Sequence, residues 1–223
     1  MPETIVLAAR EVAVRHSERE LFAGVSFTLK AGGALVIMGG SGIGKTTLLH
    51  AIAGRKEHRG TLEIGGRTLP NRGSEEPDPN VVLVTQAPNL WSHLTAAGNI
   101  ALVRRLLHGE SKSAAAKYAL DLLEHLECRE VADRFPHSLS GGEQQRISFA
   151  RGLAAEKQLL LLDEVTSSMD AERKRVVIEV LKEKMREGVA VVAVSHDDDF
   201  GEMLGATTLY LTPAGLAAGA AAR

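Results

Sequence analysis

The chain has 223 residues, a formal net charge of -2 at pH 7 and a pI of about 6.5, so no global basic field draws it to nucleic acid or to an anionic membrane surface. This length buries one sizeable core and leaves room for a smaller lobe beside it, and one compact unit is the default expectation. The single cysteine, Cys128, excludes an internal disulfide framework and a four-thiolate zinc site, and it fits a reducing compartment.

The N-terminus, MPETIVLAAREV, has no basic region followed by an apolar run, which argues against a signal peptide. Short alternating segments follow: Ile5 to Leu7, Val12 to Arg15, Val25 to Leu29, and Thr61 to Ile64. Gly65-Gly66 and Arg67-Thr68-Leu69 then give a hairpin signal. These segments predict an antiparallel N-terminal sheet. Between them, Ala34 to Met38 is a continuous apolar strand that runs through a glycine-rich turn into a helix from Lys45 to about Ala53, stopped by Gly54. Residues 70–79, PNRGSEEPDP, are polar and rich in breakers, as a surface loop is.

Three further apolar runs have the continuous pattern of strands buried on both faces: Val81 to Thr85, Leu159 to Leu162 and Val189 to Val194. No convincing strand lies between Pro88 and Leu139. There Ser113 to Glu127 puts Ala115, Ala119, Leu122 and Leu126 on one helical face, which predicts a helical insert. Ala171 to Arg186 is the best helix, with Val177, Leu181 and Met185 at i+4 beside Val176 and Val180, an apolar stripe expected to pack on the sheet. The uncharged stretch from Met203 to Ala222 is broken by glycines and Pro213, so it makes a poor membrane helix. Residues 214–223, rich in alanine and glycine, are expected to contribute little.

Gly39, Gly40, Ser41, Gly42, Ile43, Gly44, Lys45 and Thr46 match the phosphate-loop pattern GxxxxGK(S/T), after a strand and opening a helix as the pattern requires. The glycines let backbone N–H groups converge on phosphate oxygens, and the helix N-terminus adds its dipole. Lys45 reaches the β and γ phosphates, and Thr46 ligates Mg2+. A glycine-rich turn alone explains the glycines but not Lys-Thr at the helix start.

Asp163 and Glu164 end the apolar strand from Leu159, and buried carboxylates are costly unless paired or near a cation. Mg2+ is the natural compensation, with Asp163 holding the metal through water and Glu164 orienting or deprotonating the attacking water. The plain alternative is a strand that stops at its first charges. His196 closes the next apolar strand at the same carboxyl edge, where ligands of open α/β sheets collect; it is either a γ-phosphate contact or a polar strand end. Ser140 and Glu143 have capping-box spacing, yet Gly141 and Gly142 weaken a first helical turn, which makes sense if that N-terminus approaches an anion.

LSGGEQQR, from Leu139 to Arg146, resembles the signature motif of ATP-binding cassette (ABC) ATPases. The order of phosphate loop, Gln86, signature, Asp163-Glu164, Asp170 and His196 resembles that family over nearly the whole chain. The resemblance implies a P-loop NTPase core of α/β class with a mostly parallel sheet, an antiparallel β subdomain and a helical insert subdomain. It divides a single 1–223 domain into a β lobe with phosphate loop over about 1–70, a helical subdomain at 88–140 and the remaining core at 141–212.

By position, Thr47 and the phosphate loop bind ATP, and Gln86 resembles the glutamine that touches Mg2+ and senses the transmembrane partner. Ser140, Gly141, Gly142 and Glu143 serve the ATP of a partner subunit, and Asp170 lies in the loop linking two ATP sites. Gln86 otherwise reads as a polar strand end, and Asp170 as a cap for the next helix. His16 stands where the adenine-stacking aromatic is usually tyrosine. Gly33, Gly40 and Val165 stand where glutamate, proline and proline are common. Trp91, the only tryptophan, either anchors a coupling helix of the membrane subunit or fills the insert's own core.

The resemblance implies ATP hydrolysis with Mg2+, a homodimer or heterodimer with a related ATPase subunit, transmembrane permease subunits, and a peripheral place on the cytoplasmic face of the membrane. Pro88 to Thr95 resembles polar amino-acid importers more than drug exporters. A soluble ABC-type ATPase, of repair or regulatory kind, is the rival, but residues 88–140 leave no room for a long heptad insertion or a DNA-binding segment.

Overall fold

The computed structural model describes residues 4–16, 19–73 and 78–218, excluding the side chain of His16. In chain order the elements are β1 (Ile5–His16), β2 (Arg19–Lys30), β3 (Ala34–Met38), α1 (Lys45–Ile52), β4 (Arg59–Ile64), β5 (Arg67–Thr68) and β6 (Val81–Val84). Then come α2 (Ala96–His108), α3 (Lys112–His125), α4 (Gly141–Leu153), β7 (Leu159–Asp163), α5 (Ala171–Arg186), β8 (Ala190–Val194), α6 (Asp198–Leu204), β9 (Thr207–Thr212) and β10 (Gly215–Ala218).

Two compact units result. One holds Met1–Leu83, Lys157–Glu164 and Lys184–Arg223; the other holds Val84–Glu156 and Val165–Glu183. In the first, an antiparallel sheet runs β2-β1-β4-β5, and a six-stranded mixed sheet runs β10-β9-β3-β8-β7-β6. Strand β3 pairs in parallel with both β8 and β9, so the strand feeding the phosphate loop is central, and all five of its residues are buried. Strand β7 pairs in parallel with β8, which brings Asp163 opposite Val194 at one sheet edge. One core gathers both sheets and α1, with Leu48, Leu49, Leu62, Ile37 and Leu161 fully buried.

The two N-terminal segments, Ile5 to Leu7 and Val12 to Arg15, belong to one long strand. Register shifts after Ala9 mark a bulge at Glu11, whose backbone has φ 50. Glu11 N–H donates to Ser26 Oγ at 2.9 Å, so the residue that breaks the alternation has its own partner. Gly60 answers the bulge: a Cβ there would lie 2.3 Å from the Glu11 carbonyl oxygen.

The expectation that residues 214–223 contribute little is corrected over Gly215–Ala218. These residues form β10, antiparallel to β9, and β9 itself flanks the central strand. The stretch TTLYLT is half-exposed on most positions, and its threonines interrupt the continuous apolar pattern that marked the other sheet strands.

In the second unit α2 packs on α3 and α4. Ala115, Ala119 and Leu126 on the predicted face are fully buried and Leu122 is 7% exposed. Arg104 joins these helices. Its guanidinium pairs with Glu110 and Glu156 and lies 4.0 Å from the centre of the Tyr118 ring. Among the described residues no helix is long and apolar enough to cross a membrane.

Candidate active site

Strand β3 delivers the chain into the loop Gly39 to Gly44 and then into α1. Gly39, Gly42 and Gly44 have φ 140, 76 and 108, a region that side chains rarely enter. At Gly44 a Cβ would also lie 3.0 Å from the Phe22 ring. Helix α1 starts without a side-chain cap and without an acidic residue in its first turn, so its N–H groups and positive dipole end are left for an outside anion.

Lys45 is 6% exposed, and its ammonium donates to the carbonyls of Gly39 at 2.8 Å and Gly40 at 3.1 Å. Burial lowers its pKa, and the carboxylates of Glu164 and Asp163 oppose that shift. Thr46 Oγ1 donates to Asp163 Oδ1 at 3.0 Å. Burial pushes the Asp163 carboxyl up, with Glu164 adding to it and Thr46, His50 and Lys45 holding it down. Glu164 follows with φ 50, its N–H donating to Val194 O at 3.1 Å. This turn sends its side chain to His196, whose Nε2 lies 3.0 Å from Glu164 Oε1.

A cavity of about 370 Å3 opens among Ser41, Gly42, Lys45, Thr46, Glu164 and His196, with Gly44, Thr47 and Leu21 completing it. Asp163 meets it through Thr46. Gly39 and Gly40 contribute carbonyls to Lys45, whereas Ile43 packs against the core. Leu21 carries no motif; only the fold brings it here from β2. The side chain of His16 lies outside the described residues.

The remaining predicted residues belong to the second unit. Gln86 is exposed just after β6. Ser140 caps α4 in a reciprocal capping box: Glu143 N–H donates to Ser140 Oγ at 3.3 Å and Ser140 N–H to Glu143 Oε2 at 2.6 Å. Donation to this carboxylate from the Ser140 hydroxyl, at 2.7 Å, and then from the Ser140 N–H holds the Glu143 carboxyl below its usual range. A Cβ on Gly141 would meet nothing within 4 Å, and one on Gly142 would lie 3.3 Å from Ser168 O. Asp170 caps α5, accepting from Arg173 N–H at 2.9 Å and pairing with its guanidinium. Trp91 is half-buried beneath the Arg151 guanidinium, 4.9 Å from the ring centre.

The model of the ABC transporter family matches residues 22–167, which span the phosphate loop, the signature and the Asp163-Glu164 pair. The chain belongs to the ABC transporter family. It is an ATP-binding, ATP-hydrolysing subunit coupled to transport.

The glutamate transport ATP-binding protein GluA of Corynebacterium glutamicum is 36% identical to this ABC transporter subunit, over 84% of this chain and 78% of its own length. The histidine/lysine/arginine/ornithine transport ATP-binding protein HisP of Escherichia coli is 33% identical, over 88% and 82%. The dimeric structure of an ATP-binding cassette in a post-hydrolysis state, bound to ADP and Pi, superposes with a TM-score of 0.82 at 27% identity. It covers 94% of this chain and 96% of that one.

Proposed function

We propose that Glu164 is the general base of ATP hydrolysis, with His196 as its orienting partner and Lys45 as the cation that meets the β and γ phosphates. The observation that carries this reading is the 3.0 Å contact between Glu164 and His196 at the mouth of a cavity whose other side is the phosphate loop. Water attacks the γ-phosphorus in line, Glu164 accepts its proton, and the bond from phosphorus to the β,γ-bridging oxygen breaks. The half-exposed imidazole is free to turn from the carboxylate to the γ-phosphate when nucleotide enters. Lys45 exchanges its loop carbonyls for phosphate oxygens, a stronger charge-assisted pair.

Thr46 and Asp163 fit Mg2+: a hydroxyl and a carboxylate, both hard oxygen donors, meet at 3.0 Å, and burial of Asp163 leaves a charge that a cation compensates. Gln86 is assigned to the same ion on the family resemblance alone. When bound, Mg2+ neutralises charge on the phosphate oxygens. Gly39 to Thr47 hold the triphosphate, and His16 is assigned to the adenine.

Ser140 to Glu143 are assigned to the ATP of a second subunit. The open space at Gly141 supports this reading, because no neighbour among the described residues demands glycine there. The functional unit is then a dimer held against transmembrane permease subunits at the cytoplasmic face, with a β lobe over 1–70, a helical subdomain over 88–140 and the rest of the core over 141–212. Polar amino acids are the proposed cargo, since relatives such as GluA and HisP are named for amino-acid transport.

The Glu164→Gln variant tests the base. ATP affinity is expected to stay within about threefold, while turnover falls by about 100-fold or more, the range for loss of a positioned base. A variant that keeps the full ATPase rate would falsify the assignment. Co-purification with permease subunits and ATPase stimulation across amino acids test the cargo.

A further inference from the structure

Helix α4 does more than present the signature at its N-terminus. From the far end of the same helix, Arg151 donates through Nη1 to the Asn89 carbonyl at 2.8 Å and through Nη2 to the Pro88 carbonyl at 3.1 Å, and its plane covers Trp91 at 4.9 Å. Six residues earlier, about 9 Å along the helix axis, Gln145 Nε2 donates to the Thr85 carbonyl at 3.3 Å. The gripped stretch is the one that carries Gln86. It has no regular secondary structure, and Asn89 has φ 46.

Two features set this contact apart from ordinary packing. Burial lowers the Arg151 pKa, and among the described residues no carboxylate pairs with its guanidinium, so a part-buried charge rests on two backbone carbonyls and one ring. Behind the gripped stretch, fully buried Asn99 accepts from Trp91 N–H at 2.9 Å and donates to the carbonyls of Trp91 and Thr95. Trp91 is thus fixed from α2 on one side and from α4 on the other.

We propose that Arg151 and Gln145 are positioning residues that fasten the Thr85–Trp91 stretch to the signature helix, so that the Gln86 segment and the Ser140–Gly142 terminus move as one body. The inference rests on the dimeric, nucleotide-bridged reading of the signature given above. A rigid helix carrying both features makes the coupling reciprocal: ATP held at Ser140–Gly142 shifts the environment of Trp91, and a ligand pressing on Thr85–Trp91 shifts the signature. Arg is required because a planar fork meets two carbonyls and a ring at once, which a lysine ammonium does not.

The test uses Trp91, the only tryptophan in the chain, as its own reporter. In the full chain carrying Glu164→Gln, Trp91 emission and sedimentation are followed as ATP is added. ATP is expected to produce a dimer and a change in Trp91 emission together. Adding Arg151→Met should leave the ATP-driven dimer in place and cut the emission change at least about fivefold, the lower end of couplings between linked sites. Arg151→Lys should lie between the two.

A dimer that forms with no emission change in the Arg151 chain overturns the fastening, as does a full emission change in the Arg151→Met chain. Absence of any ATP-driven dimer overturns the dimeric reading and this inference with it, and sedimentation distinguishes that outcome. If Arg151→Met does not fold, hydrogen exchange in the Glu164→Gln chain decides. Amides of 85–99 and 141–153 should gain protection together with ATP, and protection confined to 141–153 refutes the proposal.

Discussion

Glu164 holds a backbone that side chains avoid, with φ 50, between a buried carboxylate and a histidine. Left-handed geometry costs a non-glycine residue about 1–2 kcal/mol, and such strain gathers where a side chain must point in one direction. Two substitutions separate strain from chemistry. Glu164→Gly is expected to be about 1 kcal/mol more stable than Glu164→Ala in denaturant unfolding, the reverse of their order in regular strand or helix, and both lose turnover. An alanine variant at least as stable as the glycine variant would show that the backbone is unstrained. His58 makes a second residue-scale prediction. It is 3% exposed, and burial lowers its pKa from 6.5 against the opposing pull of the Lys56 backbone. The unfolded chain therefore takes up a proton below pH 6.5 that the folded chain refuses. Stability contributed by neutral His58 is present above pH 6.5 and falls away as the pH drops toward the folded pKa. Denaturation midpoints at pH 7.5 and 5.5 should differ less in His58→Gln than in the native chain, and an unchanged difference would clear His58 of the effect.

Among the elements, α5 separates a structural from a functional reading of one residue. Asp170 accepts from Arg173 N–H, so the capping alternative is physically real, and it does not exclude a role in a dimer. Asp170→Ser keeps a side-chain oxygen for the cap and should change stability by less than about 0.5 kcal/mol, whereas Asp170→Ala should cost about 1 kcal/mol. If the carboxylate also joins two ATP sites, both variants lose ATP turnover to a similar degree. Activity that follows stability instead would leave Asp170 as a cap alone. The sequence made such elements legible where local physics was unopposed. Helix α5 has the ends that its charged face and apolar stripe predicted, and β3, β7 and β8 stood out because burial on both faces leaves no polar position. It failed where strands are half-covered: β9 sets three large side chains, Leu209 to Leu211, among threonines, β10 is Gly-Leu-Ala-Ala, and the pairing of β9 beside β3 depends on contacts far along the chain. The phosphate loop was legible because its chemistry lies in consecutive residues. Leu21 was not, because its place at the cavity is set by β2 rather than by any local pattern.

For the whole molecule, the decisive question is whether one chain holds a complete site. Lys45 and Glu164 lie in one compact unit and Ser140 to Gly142 in the other, and among the described residues a Cβ on Gly141 would meet nothing within 4 Å. In a symmetric homodimer with head-to-tail sites, each ATP would take its phosphate loop from one copy and its signature from the other. Lys45→Ala and Gly141→Asp are then each expected to be inactive as purified proteins, because every site in either homodimer carries one defect. Mixed in equal amounts and allowed to exchange, half of the dimers should contain one copy of each. In such a heterodimer one site combines the intact phosphate loop with the intact signature, while the other site carries both defects. ATPase activity should therefore return to about a quarter of the native rate if sites act independently, and to less if both must fire together. A site complete within one chain gives a different result, since no mixture of two dead copies then restores turnover. Measuring the ATPase rate against the mixing ratio separates these cases: shared sites give a maximum near equal amounts, and self-contained sites give a flat line at background.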